Sequence, residues 1–261
     1  MMKFIHVTDP HLTEPGQILW GTDPCDRLSR CLDDIARLHS DAAFCVISGD
    51  LTEAGETSAY DGLRQRLQNF PLRTFLMLGN HDERTAFQSV FPEVPLCQGG
   101  FVQHVHQTDQ GIFIFLDTKK ESLTSEGELC EKRRKWLTEQ LSDAGDAPVF
   151  LFMHHPPFDV GVSHMDPIKL DDPEAFVDAI GIKAGIRHIF FGHVHRAGYF
   201  NWRGIPCTSL PGTNHQISIS PESVGTTYSS EPPMYGVVSL VGEQINILFD
   251  ACLDRAPIPG K

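Results

Sequence analysis

"RTFLMLGNHD", residues 73–82, runs from an apolar stretch into Gly79 and then into an amide, an imidazole and a carboxylate in succession. One polar residue after a buried strand makes a turn. Three of them, led by a glycine, suggest that something is held there. Four other strand-like runs end in the same way. "MKFIHV" (2–7) is followed by Asp9 and His11, and "AFCVIS" (43–48) by Gly49 and Asp50. "PVFLFM" (148–153) leads to His154 and His155, and "RHIFFG" (187–192) to His193 and His195. Ligands of open α/β sheets gather outside the carboxyl ends of the strands. Five strand ends would therefore bring Asp9, His11, Asp50, Asn80, His154, His193 and His195 to one place.

That set offers oxygen and nitrogen donors and no sulfur, which suits Zn, Mn, Fe or Co. Seven ligands are too many for one tetrahedral ion but serve two ions if one carboxylate bridges. Two ions roughly 3.5–4 Å apart are the apparatus for in-line displacement at phosphorus. Glycines before Asp50, Asn80 and His193 allow the backbone close to the cluster. His81, next to Asn80, is then free for proton work. Asp82 is expected to fix the loop or to orient a ligand histidine.

Between these runs the pattern alternates. Helices are expected over 23–38, with Asp23 as N-cap and Pro24 in the first position, and over 56–70, 83–90, 127–141 and 172–180. Further strands are expected at 101–106, 111–117, 198–210, 216–220, 235–240 and 244–249, so the second half is β-rich. The fold class is α/β: two mixed β-sheets packed as a sandwich with flanking helices. No linker interrupts the chain, so residues 1–261 read as a single domain. The loop 221–234 reads as a mobile segment.

Composition narrows the function. The chain has 261 residues, a formal net charge of −13, and no run of Lys and Arg longer than "KRRK" (132–135), which reads as a solvated helix face. A protein that grips long nucleic acid needs the opposite sign. No apolar run approaches the ~20 residues of a membrane helix, and the start "MMKFIHVTD" does not resemble a signal peptide. A cytoplasmic protein is expected. Seven scattered cysteines without a C-x-x-C give neither a disulfide framework nor a zinc ribbon.

The ordered motifs D-x-H, G-D, G-N-H-D, H-H-P-P and G-H-V-H resemble the calcineurin-like metallophosphoesterase superfamily, over roughly residues 2–212. Within it the chain is similar to the class III cyclic nucleotide phosphodiesterases and the related glycerophosphodiesterases. "MDPI" (165–168) and "LPGTNHQ" (210–216) resemble the glycerophosphodiesterase branch. The resemblance implies the αββα fold of that superfamily and two divalent cations. Asp9, His11 and His195 would hold one, Asn80, His154 and His193 the other, and Asp50 would bridge. His155 would be a neighbour held by the prolines after it. The implied activity is hydrolysis of small phosphodiesters, glycerophosphodiesters and/or cyclic nucleotides, by a hydroxide shared between the ions. His81 would protonate the leaving alkoxide. The residues after Asp50, "LTEAG", lack the G-D-x-x-D-R-G pattern of protein phosphatases. Two dications, two carboxylates and a hydroxide sum to +1, which leans toward a monoanionic diester.

Other readings stand beside this one. A main activity on 3′,5′-cyclic AMP, a non-catalytic metal-binding scaffold, and a nuclease on DNA ends are the alternatives. His164 and His215 are candidates to touch substrate or to support the ligands. Trp20 could stack a nucleobase, fill core or meet a second subunit. His6, His39, His104, His106 and His188 read as packing or surface residues. The resemblance also implies a homodimer or higher homo-oligomer, paired through the tail 212–261.

Overall fold

The computed structural model describes residues 1–122, 124–181, 185–219 and 227–253. In chain order the elements are β1 (Met2–Val7), α1 (Pro24–Leu38), β2 (Cys45–Ser48), α2 (Thr57–Leu67), β3 (Thr74–Met77) and α3 (Arg84–Val90). They continue with β4 (His104–Thr108), β5 (Gly111–Phe115), α4 (Glu131–Asp143), β6 (Val149–Met153), α5 (Pro173–Ile180) and β7 (Ile186–Phe191). The last are β8 (Gly198–Trp202), β9 (Ile205–Ser209), β10 (Gln216–Ile217), β11 (Tyr228–Ser229), β12 (Met234–Val241) and β13 (Gln244–Ala251).

Two large mixed sheets form, in the orders β13-β12-β1-β2-β3 and β4-β5-β6-β7-β9-β8. β1, β2 and β3 run parallel, as do β5, β6, β7 and β9. The short β10–β11 pair stands apart. Alternation along each strand explains the layering. Phe4 and His6 of β1 face the second sheet, where Phe4 meets Phe152 and Phe190 edge-on at 5.9 and 5.6 Å. Ile5 and Val7 face the other way, into a core shared with α1, α2 and α3. The second sheet likewise packs its outer face on α4 and α5. The central strands are buried on both faces, so "AFCVIS" shows no polar alternation.

Asp23 caps α1, accepting from the backbone N–H groups of Cys25 and Asp26, with Pro24 in the first turn. Several boundaries differ from expectation, two of them for a clear local reason. α4 begins at Glu131 rather than 127, because Gly127 is drawn into bridges with Lys119 and Leu170. The run 198–210 is a hairpin, folded at Arg203 and Gly204, both at positive φ as a two-residue turn of that hand needs. "KRRK" is not wholly a solvated face. Arg133 is fully buried, donating to the carbonyls of Asp117 and Lys119 and to Glu128. The segment 221–226, within the loop read as mobile, lies outside the described residues. Among the described residues no helix is long and apolar enough to cross a membrane.

His188 on β7 gives the fold a pH signature. It is buried, with Nε2 joined to Thr208 Oγ1, and burial lowers its pKa to about 3. Below the unfolded value near 6.5, the unfolded chain binds a proton that the folded chain refuses, so stability falls as pH drops from 6.5 toward 3. At pH 5 this histidine alone should cost about 2 kcal/mol. Urea titrations of wild type and His188→Gln at pH 7.5 and pH 5 should show the variant losing less on acidification. Equal losses would mean that His188 does not titrate this way.

Candidate metal centre

The sequence-predicted residues converge. β1, β2 and β3 of one sheet and β6 and β7 of the other end at one edge of the sandwich. Asp9, His11, Asp50 and His195 each bring a donor atom within 4.8 Å of the others, and so do His154, His155 and His193. His11 Nε2 lies 3.1 Å from His195 Nε2 and 3.5 Å from Asp50 Oδ2. Asp50 Oδ2 is 3.3 Å from His154 Nε2, so this carboxylate stands between the two groups.

The backbone is bent to achieve this. Asp9, His11, Asp50, His193 and His195 all sit at positive φ, a conformation that L-residues avoid. The glycines are required by proximity. A Cβ on Gly79 would lie 2.2 Å from Asp50 Oδ1 and 2.6 Å from His154 Nε2. One on Gly192 would fall 2.1 Å from Thr8 Oγ1.

Hydrogen bonds behind the cluster set which ring nitrogen faces it. His11 Nδ1–H donates to Glu53 Oε2 at 2.7 Å, His154 Nδ1–H to Ser48 O at 2.8 Å, and His195 Nδ1–H to His215 O at 2.8 Å. Each leaves Nε2 for the centre. His193 does the reverse, donating from Nε2 to Ile168 O at 3.1 Å and leaving Nδ1. Asp9 Oδ2 accepts from Thr8 Oγ1, at the end of a buried chain from His6 through Ser48 and Thr8. Asp9 Oδ1 then faces His195 Nε2 at 3.2 Å.

Burial opposes ionisation of Asp50, yet His154 holds its carboxyl well below the usual range. His154 is disfavoured as a cation by burial, but Asp50 and then Asp9 raise its pKa to about 9. Burial pushes His193 down to about 3. Asn80 Oδ1 and His154 Nε2 are buried without a hydrogen-bond partner. Buried polar atoms are rarely left so. Two buried carboxylates, unpartnered oxygen and nitrogen donors and fixed imidazoles fit divalent cations.

The other expected residues divide. Asp82 fixes the loop, accepting from the N–H groups of Gly79, Leu51 and Thr52 and from Tyr60 Oη. His81 Nδ1–H donates to Glu53 O at 2.7 Å, and its ring stands 4.8 Å from that of His11. Burial works against its charged form, but Asp50 and Glu53 hold its pKa above the ordinary histidine value. His155 is joined to Thr118, whose Oγ1 is 2.8 Å from Nδ1. A cavity of about 150 Å³ opens over the centre, and His81, Trp20 and His215 line it. His164 is not among its walls; its neighbours Met165 and Ile168 are.

Sequence reasoning missed Glu53, Tyr228 and Lys119. Glu53 serves both His11 and His81, and its place three residues after Asp50 was the available signal. Tyr228 lines the cavity from a segment with no motif. Lys119, buried, donates to Asn80 O at 3.3 Å. Arg84 anchors the same loop, donating to Lys119 O and pairing with both oxygens of Asp117 at 2.8 Å.

A family model described as calcineurin-like phosphoesterase matches residues 2–197. A probable cyclic nucleotide phosphodiesterase of Rhodopseudomonas palustris is 41% identical over 249 residues, covering 94% of this chain and 91% of that protein. The glycerophosphodiester phosphodiesterase GpdQ of Enterobacter lignolyticus is 29% identical over 249 residues, covering 93% and 88%. Among solved structures, a dimetal phosphatase from Danio rerio superposes with a TM-score of 0.71 over 97% of both chains. At 14% identity that likeness speaks for the fold alone.

Proposed function

This chain belongs to the calcineurin-like phosphoesterase family, and from that premise we propose that it hydrolyses small phosphodiesters at a pair of divalent cations. The observation that carries the reading is the shared position of Asp50, within 3.5 Å of His11 on one side and His154 on the other. Asp9, His11 and His195 would hold one cation and Asn80, His154 and His193 the other, with Asp50 common to both. When bound, such a pair supplies Lewis acidity toward phosphoryl oxygen and acidifies water for attack on phosphorus.

The chain's own residues do the rest. Glu53, Ser48, Ile168 and the His215 carbonyl orient the imidazoles, so little rearrangement is needed on binding. Among the described residues lining the cavity there is no Lys or Arg. Substrate charge is then met by the cations together with His81 in its proton-donating form. His81, pinned through Nδ1 to Glu53 O, turns Nε2 toward the cavity and donates a proton to the leaving oxygen. His215 and Trp20 are the proposed substrate contacts; His164, next to Met165 in the chain but outside the cavity walls, is not proposed as one.

Both cyclic nucleotides and glycerophosphodiesters remain substrate classes, each supported by a relative of that name. A homodimer is supported by the edge strand β13, whose Leu248 and Phe249 are exposed.

The test is metal content measured alongside rates on bis- and mono-p-nitrophenyl phosphate, before and after chelation. Two equivalents of divalent metal are expected, with the diester preferred. Chelation should abolish turnover and Mn, Fe, Co or Zn restore it. Full metal occupancy with no diester turnover would make the chain a scaffold.

A further inference from the structure

One wall of the cavity lies apart from the proposed cation ligands and from His81. Trp20 and Tyr228 stack at its mouth, ring centroids 4.2 Å apart and planes at 26°. Both are exposed, Trp20 by 51% and Tyr228 by 36%. Behind them the His215 ring meets Tyr228 edge-on at 4.9 Å and Trp20 at 6.4 Å. An aromatic pair that filled core or braced a loop would have buried its faces.

The pair is held with care. Trp20 sits at positive φ in a tight turn closed by reciprocal hydrogen bonds between Leu19 and Thr22. Thr22 Oγ1 donates to Asn214 Oδ1 at 2.6 Å, tying this turn to the segment that carries His215. Tyr228 is paired with Ile217 across β10 and β11. Arg27 donates to the carbonyls of Asn214, Ser230 and Glu231, and Arg196 clasps Glu231 and the Ile217 carbonyl. The tight turn at Trp20 and Gly21, and the two arginines bonded to the residues around the β10–β11 pair, keep both rings at the cavity mouth.

Its chemistry selects the ligand. Among the described residues lining the cavity, the only carboxylate outside the proposed cation ligands is Glu53, already engaged by His11 at 2.7 Å, so no free anion there awaits an ammonium head group. The walls next to the pair are His215 and Ile217, one aromatic and one aliphatic. A flat, uncharged ring would extend the existing stack. We infer that Trp20 and Tyr228 form a base-stacking platform that makes nucleoside-bearing diesters, such as 3′,5′-cyclic nucleotides, the favoured substrates of this site. The inference rests on the phosphodiesterase reading above.

The test compares wild type, Trp20→Ala, Tyr228→Ala and Trp20→Phe on cyclic AMP and on glycerophosphoethanolamine. Stacking on an aromatic side chain contributes roughly a 10- to 100-fold effect per base. Each alanine variant should lose that factor in kcat/KM for cyclic AMP, mainly through KM, and at least tenfold less on glycerophosphoethanolamine. Trp20→Phe should recover most of it. Equal losses on the two substrates, or none on cyclic AMP, would overturn the platform. Binding of a non-hydrolysable cyclic AMP phosphorothioate supplies a second readout. It should quench tryptophan fluorescence in wild type and bind nearly as well to Trp20→Phe without that quench. If wild type turns over neither diester, the phosphodiesterase reading fails. The quench then decides the platform by itself: present, it stands; absent, it falls.

Discussion

Asp50→Ala is expected to strip the protein of both cations and to lower kcat on diesters by roughly 10³-fold or more. The size follows from several kcal/mol of lost charge stabilisation at about 1.36 kcal/mol per tenfold. Asp50 is singled out by geometry. Its Oδ2 lies 3.5 Å from His11 Nε2 and 3.3 Å from His154 Nε2, while Oδ1 accepts the backbone N–H of His81 at 2.9 Å. Alanine removes the oxygens that both halves share. Asn would keep the volume and the acceptor for His81 but lose the charge, so Asp50→Asn separates the electrostatic loss from misfolding. Elemental analysis and kcat on bis-p-nitrophenyl phosphate should fall together in both variants, with far-UV spectra unchanged in the Asn form. Two metal equivalents retained by Asp50→Ala would remove Asp50 from its bridging role.

His81→Ala should act differently, sparing metal content and discriminating between leaving groups. Its Nδ1 is committed to Glu53 O, so only Nε2 can serve the cavity. Proton donation of this kind is worth about 10²–10⁴-fold when the leaving group is poor. An alkoxide from a sugar or glycerol needs the proton; a nitrophenolate hardly does. The variant should lose about 10²-fold or more on cyclic AMP or glycerophosphoethanolamine and less than tenfold on bis-p-nitrophenyl phosphate. Parallel losses on both classes would assign His81 to positioning.

The parallel strands and the cluster they deliver were legible because one signal reports both. An apolar run that stops at Gly-Asp or Gly-Asn-His-Asp gives the strand, its end and its cargo together. What stayed hidden came from residues whose partners lie far along the chain. Arg133 within "KRRK" is indistinguishable in sequence from its solvated neighbours until Asp117 and Glu128 are folded against it. Glu53 reads as a loop acid until His11 Nδ1 is found 2.7 Å away. The divided strand at 198–210 was hidden for a local reason: Arg203 carries the positive φ that a turn would usually give to glycine or asparagine. His164 and Met165 are adjacent, and only the packed loop decides that the methionine faces the cavity.

The seam of phenylalanines between the sheets has a further role. Asp9, His11, Asp50 and Asn80 hang from one sheet, and His154, His193 and His195 from the other. The thickness of the layer where Phe4 meets Phe152 and Phe190 therefore acts as a shim that sets the gap across which the proposed ligands face each other. Packed interiors transmit strain rather than absorb it, and catalytic groups tolerate little misplacement. Trimming a ring that stands two to five residues before the proposed ligand on its own strand should thus detune the centre through the packing, making Phe4, Phe152 and Phe190 dials for turnover as well as ballast for folding.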